Sequence, residues 1–121
     1  MTKVKVLLAE DDITMVSLLT TLLKMEGFSV VALQPDADVP AAVRTEQPDI
    51  LLLDVHLLRQ SGFDILDTIR GSEDTVGTRV VMSSGADVRD ECMKHGANGF
   101  LLKPYMPDEL ITILKKTMKS A

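Results

Sequence analysis

One cysteine, Cys92, stands in the 121 residues, so no internal disulfide can form and no cysteine-based metal site can be assembled. A chain this poor in thiols fits a reducing cytoplasm. Positive charge is also short, with 13 Lys and Arg against 18 Asp and Glu and a net charge of -5. That balance argues against holding nucleic acid or an anionic membrane through the overall field. No apolar run approaches the ~20 residues that cross a bilayer. The opening "MTKVKVLLAEDD" carries lysines before a short apolar run but meets three acids at once. It reads as a first strand and not as a signal peptide. Linkers, repeats and compositional breaks are lacking as well, so residues 1–121 are expected to form one domain. With 45% apolar and 26% charged residues, such a chain can bury a core without staples.

What is present is alternation. Five short runs rich in Val, Ile and Leu read as strands covered on both faces: "VKVLLA" (4–9), "FSVVAL" (28–33), "ILLLD" (50–54), "RVVMS" (79–83) and "GFLLK" (99–103). Helical patterns fall between them. Met15, Leu18, Leu19, Leu22 and Met25 follow the spacing of one helix face, with Met15 and Met25 as core filler and Gly27 as the C-terminal stop. A second helix spans Val39–Glu46 and ends before Pro48. Phe63, Leu66 and Ile69 mark a third, and residues 87–95 a short fourth in which Cys92 serves as a small buried hydrophobe. The last begins near Pro107, has Asp108 and Glu109 in its first turn, and buries Leu110, Ile113 and Leu114. Alternating strand and helix predicts a doubly wound α/β fold: a parallel sheet with right-handed crossovers and helices on both faces. Periodicity leaves the strand order open.

In such a sheet every strand ends at the same edge, where ligands sit. Four strands deliver chemistry there. Glu10, Asp11 and Asp12 follow the first, Asp54 ends the third, Ser83 and Ser84 end the fourth, and Lys103–Pro104 end the fifth. Asp12 also suits the cap of the following helix. Carboxylates crowded together repel unless a cation lies between them. Hard oxygen ligands with room for water suit Mg²⁺. A lysine and a hydroxyl add donors for a charged oxygen, so the missing component is an anion. Phosphoryl transfer asks for little beyond positioning and charge neutralisation, and a carboxylate can itself be the nucleophile. Asp54, at the end of four apolar residues, is then tolerated because its task is to accept a phosphoryl group.

The segments "VLLAEDD", "ILLLDVHLLRQSGFDIL", "RVVMSSGA" and "GANGFLLKPY" resemble, in order, the signature segments of bacterial response-regulator receiver domains, and the similarity covers essentially the whole chain. The resemblance implies a (βα)5 fold with strand order 2-1-3-4-5. It implies Asp54 as phosphoacceptor from a sensor histidine kinase or phosphotransfer protein. Mg²⁺ (or Mn²⁺) would be held by Glu10, Asp11, Asp54 and the backbone carbonyl of His56. It further implies Ser84 and Lys103 as donors to the phosphoryl group, Ser84 and Phe100 as switch residues, and a cis bond before Pro104. His56 and Ala86 would border the path of attacking water and tune dephosphorylation. The output surface would be helix four, strand five and helix five, turned toward an output domain or partner protein. Such a domain is no enzyme toward outside substrates; it catalyses only its own phosphorylation and dephosphorylation. Two departures stand out. Leu58 occupies a position where the family usually carries proline, and the Ser84 to Lys103 spacing of 19 is short by about one helical turn. The competing readings are a Mg²⁺-dependent phosphohydrolase, disfavoured because His56 stands where a second Asp is wanted, and a degenerate receiver that only binds partners.

Overall fold

The computed structural model describes residues 3–119. Strands and helices alternate in the order β1 (Lys5–Ala9), α1 (Ile13–Met25), β2 (Ser29–Ala32), α2 (Val39–Glu46), β3 (Ile50–Asp54), α3 (Gly62–Arg70), β4 (Arg79–Ser84), α4 (Arg89–Lys94), β5 (Gly99–Leu102) and α5 (Pro107–Lys119). The five strands form one parallel sheet in the order β2-β1-β3-β4-β5, as the resemblance implies. A two-residue antiparallel ribbon, His56–Leu57 against Gln60–Ser61, is inserted between β3 and α3.

Strand alternation divides the core in two. Leu7, Leu51, Leu53, Val80, Met82 and Phe100 point to one face, where Val39 and Val43 of α2, Ile65, Leu66 and Ile69 of α3, and Cys92 of α4 close over them. Val6, Leu8, Ile50, Leu52, Val81 and Leu101 point to the other, under Leu19 and Leu23 of α1 and Leu110 and Leu114 of α5. Each fully buried aliphatic side chain stabilises the fold by about 1.5–3 kcal/mol over its exposed state. β3 is buried along its whole length, while the edge strand β2 is only half-buried, so the expectation of strands covered on both faces holds best at the centre.

The helix ends follow local chemistry. The Asp12 carboxylate accepts from the Met15 N–H at 3.1 Å and caps α1. Gly27, with φ +91°, stands just past the α1 C-cap in the left-handed conformation that glycine adopts without strain. α2 occupies the predicted residues, capped by the Asp38 carboxylate on the Ala41 N–H. α4 is a six-residue helix, shorter still than the expected 87–95.

The predicted face of α1 needs correction. Leu18 and Met25 are 63% and 79% exposed, and the buried residues are Leu19 and Leu23, flanked by half-buried Met15, Val16 and Leu22. In a leucine-rich helix two overlapping stripes satisfy the i, i+3, i+4 rule. The true one is centred near Leu19, with Leu18 turned about 100° away.

At the sheet edge where the strands begin, Arg70 gathers the loops. Its Nε donates to the Gly96 carbonyl (3.0 Å) and its Nη1 to the carbonyls of Val76 (3.0 Å) and Thr78 (2.7 Å). Its Nη2 donates to Asn98 Oδ1 (2.9 Å), which also accepts from the Val80 N–H at 2.7 Å. On the same edge Lys5 Nζ meets Glu46 at 2.7 Å, and the Lys5 N–H donates to Asp49 at 2.8 Å.

Candidate functional site

The opposite edge carries the polar cluster. Parallel pairing brings the ends of β1, β3, β4 and β5 side by side, and the residues just past those ends converge. One carboxylate oxygen from each of Glu10, Asp11 and Asp54 lies within 4.8 Å of the others. Lys103 Nζ donates to Glu10 Oε1 at 2.7 Å and lies 2.8 Å from Asp54 Oδ1. The Lys103–Pro104 peptide is cis, as expected.

Glu10 and Asp54 are each 5% exposed, so their charges must be met within the protein. Asp54 is pushed up to about 7, first by burial and then by its contact with Glu10, against the downward pull of Lys103 and Ser83. Burial also raises Glu10, but hydrogen bonds with Asp54, Lys103 and the Asp12 N–H outweigh it and hold this carboxyl below its usual value. Lys103 is raised: burial opposes its charge, and contacts with Asp54 and Glu10 outweigh that opposition. Two buried carboxylates beside one lysine thus disfavour ionisation of Asp54, since a single ammonium faces both. Three convergent carboxylates form a donor set that would suit a divalent cation, whose charge would offset theirs.

One expected residue is displaced. The hydroxyl that reaches Asp54 belongs to Ser83, whose Oγ donates to Asp54 Oδ1 at 2.8 Å. Ser84 Oγ instead accepts from the Ala86 N–H at 3.1 Å, and no contact of Ser84 with Asp54 is seen among the described residues. Register explains the exchange. Asp54 pairs with Ser83 across β3 and β4, so both side chains emerge on the same face, whereas Ser84 emerges on the other. Sequence reasoning placed both serines at the strand end and chose Ser84, without the register that selects Ser83.

The remaining expected residues lie at different distances from the chemistry. His56 opens the ribbon, paired with Ser61, and its side chain is exposed. Ala86 is exposed on the loop after β4. Phe100 is 3% exposed in the core beneath α4, with the Arg89 guanidinium 5.7 Å from its ring centroid. That covering cation had no sequence signal. Gly62, which opens α3, sits so close to β3 that a Cβ there would overlap the Asp54 carbonyl oxygen and lie 2.9 Å from both Met82 Cε and Val55 Cα. Only glycine fits. Leu58 lies at the tip of the ribbon with φ +52°, and its N–H donates to Asp11 Oδ2 at 2.9 Å.

Comparison with known proteins agrees with this fold. The chain is 28% identical over 118 residues to the DNA-binding response regulator MtrA of Mycolicibacterium paratuberculosis, covering 95% of this chain and 51% of that protein. It is 31% identical over 115 residues to the transcriptional regulatory protein CpxR of Klebsiella pneumoniae, covering 95% and 49% respectively. The chain therefore spans about half the length of these curated relatives. Among solved structures, the receiver domain of sensor histidine kinase PA1611 from Pseudomonas aeruginosa superposes with a TM-score of 0.85 at 22% identity, over 98% of this chain and 100% of that one. That structure has a magnesium ion coordinated in its active site cleft. Chemotaxis response regulator CheY4 of Vibrio cholerae superposes with a TM-score of 0.83 at 23% identity, over 96% and 99%. The response regulator receiver domain model matches residues 6–115, and on that match, with the fold and the rim, the chain belongs to the response-regulator receiver family of two-component signalling.

Proposed function

We propose that this chain is a phosphoacceptor module, in which Asp54 takes a phosphoryl group from the phosphohistidine of a sensor histidine kinase or phosphotransfer protein in the cytoplasm. Lys103 and Ser83 hold the Asp54 carboxylate through its Oδ1, and that carboxylate is the nucleophile toward phosphorus. An O–P bond forms there as the P–N bond of the donor breaks, and the departing imidazole takes a proton from solvent. As charge spreads over the phosphoryl oxygens, Lys103 and Ser83 are placed to follow it. Glu10, Asp11 and Asp54, with the His56 backbone carbonyl, would hold Mg²⁺ or Mn²⁺. Bound there, the ion supplies charge neutralisation for the transfer.

Conversion of the Asp54 carboxylate to an acyl phosphate changes the charge beside Ser83 and Lys103. Both residues belong to strand ends that continue into the surface of α4, β5 and α5, the surface assigned to an output domain or partner protein. Phe100, under Arg89, is the element of that surface best placed to change state. Because Ser83 takes the position at Asp54, it replaces Ser84 in the proposed switch. His56 and the loop through Ala86 border the approach to Asp54 and would set the lifetime of the phosphoryl group.

The observation that carries this reading is the convergence of three carboxylates, an ammonium and a hydroxyl from four strand ends at one rim. Incubation with acetyl phosphate and Mg²⁺, followed by intact-mass spectrometry, tests it. One added phosphoryl group that disappears in Asp54→Asn supports the reading. A protein that stays unmodified in excess donor is a binding module, and Asp54-dependent turnover of phosphate esters marks a hydrolase.

A further inference from the structure

Leu58 is the one residue of the ribbon in a backbone conformation that L side chains avoid, with φ +52°. A left-handed residue other than glycine is strained, and a conformation of this kind persists only where its surroundings impose it. Packing of the side chain does not supply the reason, since Leu58 is 58% exposed. Its neighbour Leu57 is buried, and the pairs His56–Ser61 and Leu57–Gln60 leave two residues to turn the chain, a tight turn whose first residue takes a positive φ. What the conformation does achieve is an aimed donor: the Leu58 N–H points at Asp11 Oδ2 from 2.9 Å. Glu10 and Asp54 have Lys103 to fix them, and Ser83 adds a further bond to Asp54. For the carboxylate of Asp11 the contact seen among the described residues is this amide.

We propose that the main-chain N–H of Leu58 is the positioning group for Asp11, fixing the carboxylate orientation that faces Glu10 and Asp54. The inference rests on the reading of Glu10, Asp11 and Asp54 as a divalent-cation site. Hydrogen bonds to ligating carboxylates set their orientation, and losing such a partner costs about tenfold or more in metal affinity. A proline at 58 would remove the donor and forbid the positive φ. A glycine would keep the donor and relax the backbone.

Mg²⁺ titration of the ¹⁵N-labelled chain without phosphodonor, followed by amide shifts, separates the possibilities. Leu58→Gly is expected to bind Mg²⁺ within about twofold of the parent, and Leu58→Pro about tenfold more weakly. In an Asp11→Asn background the Pro substitution should have no further effect on residual binding. The Leu58 amide proton should exchange slowly in the parent and faster in Asp11→Asn, a measurement that needs no variant at position 58 to fold. Unaltered affinity in a folded Leu58→Pro, equal losses in Gly and Pro, or an Asp11-independent amide would overturn the positioning role. Failure of the parent to bind Mg²⁺ at all, with the amide still protected by Asp11, would overturn the cation reading beneath it instead.

Discussion

Asp54 sits at the end of a strand that is otherwise entirely aliphatic, and its environment charges it for being ionised. Replacing it by Asn removes that burden. Asp54→Asn should therefore stabilise the cation-free protein at pH 8 by about 1–3 kcal/mol, read by denaturant titration. The two serines beside it separate cleanly. Ser83→Ala removes a donor from Asp54 and should slow phosphoryl uptake from acetyl phosphate by about tenfold or more. Ser84→Ala, whose hydroxyl meets the Ala86 amide and, among the described residues, makes no contact with Asp54, should change that rate less than about threefold. Gly62→Ala forces a methyl group against the Asp54 carbonyl and Met82, and should cost about 2–4 kcal/mol. The aspartate, the lysine and the acidic pair were legible because residue type and strand-end position jointly indicate them. The choice between Ser83 and Ser84 was not, since a one-residue shift along a strand reverses the face, and only pairing with β3 decides it.

At the scale of elements, the ten-part alternation could be read from the apolar runs and their punctuation, and the end of α2 was legible because Pro48 follows it. The inward face of α1 was misread because leucines lie on both candidate stripes. Leu19→Ala should cost about 2–5 kcal/mol, and Leu18→Ala stay within about 0.5 kcal/mol, in equilibrium unfolding. Arg70 offered no signal at all. A lone arginine near the end of α3 looks like a solvated charge, yet its four hydrogen bonds reach the loops before β4 and β5. Burial makes its charge more costly, which lowers its pKa and leaves the bonded carbonyls dependent on it. Arg70→Ala should destabilise by about 2–3 kcal/mol through those orphaned acceptors.

For the whole molecule, the titration of the rim sets how stability follows pH. Asp54 has a folded value near 7 against 3.8 for the free group, so its contribution is complete below about pH 4 and is lost as pH rises toward and past 7. Glu10 is lowered, so its contribution is present above 4.5 and is lost only as pH falls through its folded value. Lys103 is raised, and its contribution persists throughout the neutral range. Between pH 5 and 8 the Asp54 effect governs, amounting to a few kcal/mol at most. A cation that competes with protonation of Asp54 binds better at high pH. Millimolar Mg²⁺ should therefore raise the melting temperature by several degrees at pH 8 and by much less at pH 5.5, measured in thermal scans. Equal shifts at both values would argue against ligation by Asp54.

The two ends of the sheet are built differently. Where the strands begin, Arg70, Asn98, Lys5 and Asp49 bind main-chain groups directly and stitch adjacent loops into a stiff floor. Where they finish, like charges are crowded together around a single ammonium. Amide exchange should accordingly be slowest through the lower halves of β3 and β4 and fastest along the upper margin. A disturbance at Asp54 then has little purchase downward, and spreads sideways along the rim toward β5.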